Sequence, residues 1–194
     1  MGEVANNLVE MYKSGLSMAE IAEREKCSVH KVQWHLDKQG IRRRTRSEAG
    51  YVKHNPAGDP FALRTPKTLE EAKLLGLGIG LYWGEGTKAS PTAVRLGNTD
   101  PILLRQFIRF LVEICGVSVA RIRYGLQIFA DINSDEAVAY WMRELNITRE
   151  QFLPTIVMSP AQGRGTYRRK SKYGVVTVYF NNKKLRDILV NMLQ

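Results

Sequence analysis

Apolar side chains recur at helical spacing in the first part of this chain and alternate strictly further on, so the pattern predicts a mixed α and β architecture. Val4, Leu8, Met11 and Tyr12 mark one face of a helix over residues 4–13 that stops at Gly15. Ser17 and Glu20 stand at capping-box spacing and predict a second helix with Ile21 and Ala22 inward. After a turn near residues 25–27, Ser28 can cap a third helix that buries Val29, Val32 and Leu36 and ends at Gly40. Residues 47–68 read as a linker, because Asn55-Pro56, Gly58-Asp59-Pro60 and Thr65-Pro66 interrupt regular structure. A helix is expected from Thr68 or Leu69 to about Gly86, with a buried strand as the alternative for its short apolar run. Thr92–Gly97 predicts a strand. Thr99 or Asp100 then caps a helix with Pro101 in its first turn, Leu103, Phe107, Phe110 and Ile114 inward, and Gly116 at its end. From Arg121 to Ile132 the chain alternates, with Ile122, Tyr124, Leu126 and Ile128 on one face and Arg121, Arg123 and Gln127 on the other. Helices over 134–145 and 148–152, strands near 155–158 and 173–180, and a helix from about 182 complete the pattern, an α+β fold.

The punctuation of residues 1–46 is that of a small three-helix helix-turn-helix domain. Its third helix exposes His30, Lys31, Gln33, Trp34 and His35 and runs into Arg42, Arg43, Arg44 and Arg46. Side chains on such a helix can reach base edges, whereas arginines neutralise phosphates and set register, so this region is a candidate DNA contact. The plainer alternative is a helical interaction module with a solvated charge run. Cys27, His30 and His35 do not make a zinc site, since His30 and His35 are five apart and do not share a helix face.

Glycines in the middle helix need an explanation. Each costs about 1 kcal/mol against alanine in a helix, so Gly76, Gly78, Gly80 and Gly84 together cost roughly 4 kcal/mol. Gly76, Gly80 and Gly84 recur every four residues and line one stripe, where a second helix could approach closely. The nonapeptide Gly78–Gly86, GIGLYWGEG, resembles the LAGLIDADG signature of single-motif homing endonucleases. That resemblance implies an αββαββα domain over residues 69–194, here with extra helices, in which the signature helix packs on its copy in a homodimer through Gly76, Gly80 and Gly84. It further implies that Glu85, with Gly84, binds Mg2+ or another divalent cation, and that a basic residue near the metal, best matched by Lys172, steadies the reacting phosphate. A saddle-shaped sheet would lie in the DNA groove, presenting Arg95, Arg121, Arg123 and Gln127. The chain departs from the consensus in having glycine first, Trp83 in place of an acid, and glutamate rather than aspartate at the metal position.

Charge points the same way. Basic residues number 29 against 19 acidic ones, a net charge of +10, which favours polyanionic partners. No acid occurs between Glu150 and Asp187, while Arg164, Arg168, Arg169, Lys170 and Lys172 do, so residues 162–172 are expected to form a basic loop on DNA. The most apolar stretch, Leu74–Trp83, is far shorter than the roughly 20 residues that span a bilayer, and neither a signal peptide nor a lipidation motif is read. Two cysteines, Cys27 and Cys115, build no disulfide framework. The expected setting is the cytoplasm, at the nucleoid, without a membrane partner. The expected activity is metal-dependent hydrolysis of double-stranded DNA; the alternatives are a catalytically silent transcription regulator and a splicing cofactor of maturase type.

Overall fold

The computed structural model describes residues 2–158 and 171–192, with side chains from Asn6 onward. Two compact units divide the chain, Met1–Pro60 and Phe61–Gln194. The protein is α+β: the described residues form α-helices α1–α8 and strands β1–β4.

The front unit begins with α1 (Gly2–Lys13), α2 (Met18–Arg24) and α3 (Val29–Lys38). The capping box that opens α2 is complete, Ser17 Oγ accepting from Glu20 N at 3.2 Å and Glu20 accepting from Ser17 N at 2.7 Å. Ser28 Oγ caps α3 by accepting from Lys31 N at 3.2 Å. Between these two helices Lys26 takes a left-handed conformation, with φ of 48°, and reverses the chain. Leu8, Val9, Tyr12, Ile21, Ala22, Val32 and Leu36 close into one core, each large side chain worth about 1.5–3 kcal/mol when fully buried. Val29, expected inside, is 43% exposed at the first turn of α3.

The stretch expected as a linker contains a helix, α4 (Arg46–His54). The prolines suggested an open chain, but they lie beyond it. Thr45 and Glu48 form a second capping box that nucleates the helix, and Val52 abuts Gly15, 3.2 Å from where a Cβ would stand. The front unit thus has four helices, through Pro60.

In the back unit, α5 (Leu69–Glu85) is a helix throughout, opened by the Thr68/Glu71 capping box. β1 (Val94–Asn98) follows. Asp100 caps α6 (Pro101–Arg109), which continues into a π-helical turn over Phe110–Ile114. Leu104 is the fully buried leucine here, and Leu103 packs at the margin of the same face. β2 (Arg123–Phe129), α7 (Ser134–Leu145), β3 (Ile156–Met158), β4 (Val175–Phe180) and α8 (Lys183–Asn191) complete the unit. The helix expected over 148–152 is a single 3-10 turn, Arg149–Gln151.

Strand order in the sheet is β1-β4-β2-β3. β4 lies antiparallel between β1 and β2, while β2 and β3 are parallel, as the α7 crossover between them requires. Where the resemblance implies two strands after the signature helix, one is present, joined only by an isolated bridge between Gly86 and Leu96 and by Thr87 N donating to Arg95 O at 2.9 Å.

One face of the sheet is apolar. Val94, Leu96, Tyr124, Leu126, Ile128, Val176 and Val178 share a core with Leu74 and Tyr82 of α5, Leu104 and Phe107 of α6, Trp141 of α7 and Leu185 of α8. Gly78 faces this core, and a Cβ there would stand 2.1 Å from the Phe110 ring. The aromatic ring occupies the space that the missing side chain leaves.

Candidate nucleic-acid interface

Three surfaces carry the residues singled out by sequence. The first is the outer side of α3. With Val32 and Leu36 inward, His30, Lys31 and Trp34 are exposed and Gln33 is half-buried. Lys38 Nζ lies 4.8 Å from the centroid of the Trp34 ring, a cation–π contact that adds a charge to this side.

The arginine run after α3 divides in two. Arg44, expected to grip phosphate, turns inward instead. Its Nη1 donates to Gly15 O at 3.0 Å, its Nη2 to Leu16 O at 2.9 Å and to Tyr12 O, and its guanidinium lies 4.0 Å over the Tyr12 ring. The physical reason is the end of α1, whose last carbonyls need donors that the helix cannot supply. Arg42 pairs with Glu48, and Arg43 Nε lies 3.6 Å from Asp37. Arg46 is exposed, and no ion pair to it is seen among the described residues. Arg42, Arg43 and Arg46 therefore stand outward, the first two in exposed pairs that hold charge loosely.

The second surface is the C-terminal end of α5. Glu85 is exposed, and no ion pair or hydrogen bond to its carboxylate is seen among the described residues. Gly76, Gly80 and Gly84 line the outward side of α5, where an added Cβ would meet nothing within 4 Å. Leu69, Leu77 and Trp83 share that side and are 71%, 44% and 58% exposed. Glu85 and the carbonyls of the last turn of α5 are oxygen donors of the type a hard cation takes, two of them already accepting from Gly86 N–H, at Tyr82 O, and from Lys88 Nζ, at Trp83 O. One chain supplies only part of such a set: no group of three or more His, Cys, Asp or Glu able to hold a metal occurs among the described residues. Glu85 is thus of the right donor type for a divalent cation but makes no site within the described residues of one chain.

Lys172 is not beside this end of α5 in its own chain. Gly86 bridges to Leu96, which pairs with Val178. Lys172 precedes the start of β4 at Val175, so at least three strand steps, about 10 Å, separate it from that point. Its Nζ lies 5.0 Å over the Tyr173 ring, and a hydrogen bond with Tyr173 holds its pKa above the ordinary value. The cation that the chain does bring to the end of α5 is Lys88, whose Nζ donates to Trp83 O.

The third surface is the sheet face opposite the core. β1 contributes Arg95, β2 contributes Arg123 and Gln127, and β4 contributes Thr177 and Tyr179 between them. None of these five is buried. Tyr179 pairs with both Arg95 and Arg123, and the Arg95 guanidinium lies 5.2 Å from its ring centroid. Gly125 makes this possible, since a Cβ there would stand 2.8 Å from the Tyr179 ring. Arg123 Nη1 donates to Ala120 O at 2.6 Å and to Ile122 O at 3.0 Å, which anchors the guanidinium at one edge of the face. Arg121 was expected on the strand; it lies instead in the exposed 3-10 turn Val119–Arg121 before it.

No protein-family model, curated protein or solved structure matches the chain. Arg164, Arg168, Arg169 and Lys170, the basic loop inferred from sequence, lie outside the described residues. No described helix is long and apolar enough to cross a membrane. Burial pushes the Cys115 thiol up to about 12, so it is a packed side chain rather than a nucleophile.

Sequence reasoning missed Tyr179, Lys88 and the inward turn of Arg44. Alternation in 173–180 marked a strand there, which places Tyr179 and Thr177 on the face opposite Val178, but nothing local said that this face stays uncovered. Lys88 stands three residues after Glu85, close enough to fold back on the helix end.

Proposed function

We propose that this protein binds double-stranded DNA, its front unit acting as a helix-turn-helix with α3 in the major groove and its back unit laying the open sheet face on the duplex. The observation that carries this reading is the polar cluster on the sheet face opposite the core, of whose five residues none is buried. Beside the apolar Phe129, Val175, Ile156 and Met158, the side of the sheet opposite the core carries two arginines, a glutamine, a threonine and a tyrosine. Those are donors for phosphates and base edges, and they stand on a chain of net charge +10.

The back unit works as a LAGLIDADG-like homodimer in this reading. Pairing of two α5 helices through Gly76, Gly80 and Gly84 would cover Leu77 and Trp83 and bring two Glu85 carboxylates together at the dyad. A divalent cation such as Mg2+ would be held there by Glu85 and the Gly84 carbonyl of each chain, and would supply Lewis-acid stabilisation of charge on the phosphate and activation of water. The chain's own work is positional. Arg95 and Arg123 fix the register of the backbone, and the Lys88 ammonium at the same helix end offsets the negative potential that would repel it. The bond formed is between water oxygen and phosphorus and the bond broken is a phosphodiester P–O bond.

A regulator that only binds is the second reading, and the position of Lys172 at the far end of β4 favours it. Incubation of the full chain with a randomised duplex library and Mg2+ separates the two. Selective double-strand cutting that is lost in Glu85→Gln supports the nuclease; tight selection of a site without cutting, unchanged in that variant, supports the regulator. Failure to retain any duplex at low salt removes both.

A further inference from the structure

Trp34 is the most outward residue of α3. In a helix turning 100° per residue it stands opposite the midpoint of Val32 and Leu36, and it is 52% exposed in the middle of a ten-residue helix. It takes no part in the front core, and its ring contacts among the described residues are the edge of His35, centroids 4.9 Å apart, and the Lys38 ammonium. The seven buried residues of the front core close without it. Its surroundings are basic, with Lys31 and Lys38 on one side, His30 one turn before it, and Asp37 drawn towards Arg43 at 3.6 Å. An apolar ring at the crest of a helix flanked by ammonium groups matches a surface that is polyanionic at its rims and apolar at one point of its floor.

The major groove offers one apolar feature, the C5 methyl of thymine, while every other group on its floor is a hydrogen-bond donor or acceptor. We infer that Trp34 is a specificity-determining residue that packs on thymine methyl groups, so that the front unit selects thymine-containing steps. This rests on the proposed DNA binding and names what that binding reads. Lys31 and Lys38, on the same side of the helix, have the reach to take phosphates of one rim, and the Lys38 ammonium lies over the indole ring. The indole Nε1 is a donor only, which suits a thymine O4 beside the methyl and gives no such partner on the exocyclic amine of cytosine.

The test uses the full chain without divalent cation and a duplex recovered by the wild type from a randomised library. The front unit's footprint is the set of positions whose protection weakens in Lys31→Ala. Thymines in that footprint are replaced singly by uracil, which removes the methyl alone. One buried methyl corresponds to about a fourfold change in affinity. The expected result is a loss of that size at one or two positions for the wild type, no difference between thymine and uracil duplexes for Trp34→Ala, and full retention of the difference in Lys31→Ala, which binds both more weakly. Trp34→Leu keeps an apolar contact and part of the discrimination, and unchanged circular dichroism of each variant shows that the unit stays folded. A footprint without thymine, equal binding of both duplexes by the wild type, or discrimination that survives in Trp34→Ala overturns the inference while leaving DNA binding intact. Absence of any duplex binding by the wild type overturns the inference together with the reading beneath it.

Discussion

The two sides of α5 use glycine for opposite purposes. Inward, Gly78 is a space filled by its own fold, with the Phe110 ring seated where a side chain would be. Outward, Gly76, Gly80 and Gly84 face nothing within 4 Å. The same residue type on one helix is thus explained by packing on one side and left unexplained by the single chain on the other. The basic run after α3 repeats the contrast. Arg44 has its donors taken up by carbonyls at the end of α1, while Arg46, two residues later, faces solvent. Residue identity sets what chemistry is possible at a position; the direction in which the backbone points it decides whether the fold uses that chemistry or leaves it for a partner.

The comparison can be broken first at its inward member. Gly78→Val should destabilise the back unit by about 3 kcal/mol or more, because a rigid aromatic ring cannot yield to a branched side chain; a urea midpoint unchanged from wild type would mean that Phe110 has another place to go. Next, Arg44→Met keeps length but removes the guanidinium, and should lower stability by about 2–3 kcal/mol through the hydrogen bonds it makes to main-chain oxygens. Its effect on DNA affinity, measured well below the melting temperature, should be small.

The outward members should respond weakly in stability and strongly in association. Gly80→Ala adds a methyl to open space, and should stabilise the dilute chain by about 1 kcal/mol through helix propensity. If two copies pair along α5, the same methyl holds the helices apart, and sedimentation equilibrium should show weaker self-association than wild type. Unaltered association would remove the proposed seam. Arg46→Ala should change stability by less than about 0.5 kcal/mol while reducing the salt dependence of DNA binding by about one unit of slope.

The smallest expected effect is on pH response. Three capping-box carboxyls sit below the ordinary 4.5: Glu20 through hydrogen bonding with Ser17, Glu48 through the Thr45 N–H, and Glu71 through the Lys67 N–H. A carboxyl whose folded pKa lies below its unfolded one adds stability that is complete above pH 4.5 and is lost as pH falls through the folded value. Replacing all three with glutamine keeps the cap hydrogen bonds but not the titration. Thermal midpoints of that variant should fall less than those of wild type as the pH drops below 4.5, with the two converging in acid.

Local grammar was legible. The box at Ser17/Glu20, the helix start at Thr68 or Leu69, the cap at Ser28, Asp100 with Pro101, and the alternation of Ile122, Tyr124, Leu126 and Ile128 all lie within a few residues of the structure they specify. α4 escaped notice because the prolines after it outweighed a capping box at Thr45/Glu48 that signals just as strongly. The candidate site was legible by chemistry and illegible by place. Glu85 and Lys172 are residues of the right type, yet the register of β1 on β4 sets them at different ends of the sheet. Arg121 is one turn short of the strand whose face it was assigned to.

By itself the sequence determined where helices open and close, which residues alternate across a strand, and that the chain carries a net charge of +10, since each is settled by near neighbours or by simple summation. Only the tertiary structure decided that β4 enters between β1 and β2, that this leaves Arg95, Tyr179 and Arg123 side by side on the face opposite the core, and that Arg44 folds back on α1. Those outcomes join residues as far apart as Leu16 and Arg44, or Val94 and Phe180. At such separations the pairing is chosen by which apolar faces can be buried together, a condition that no local stretch of the chain contains.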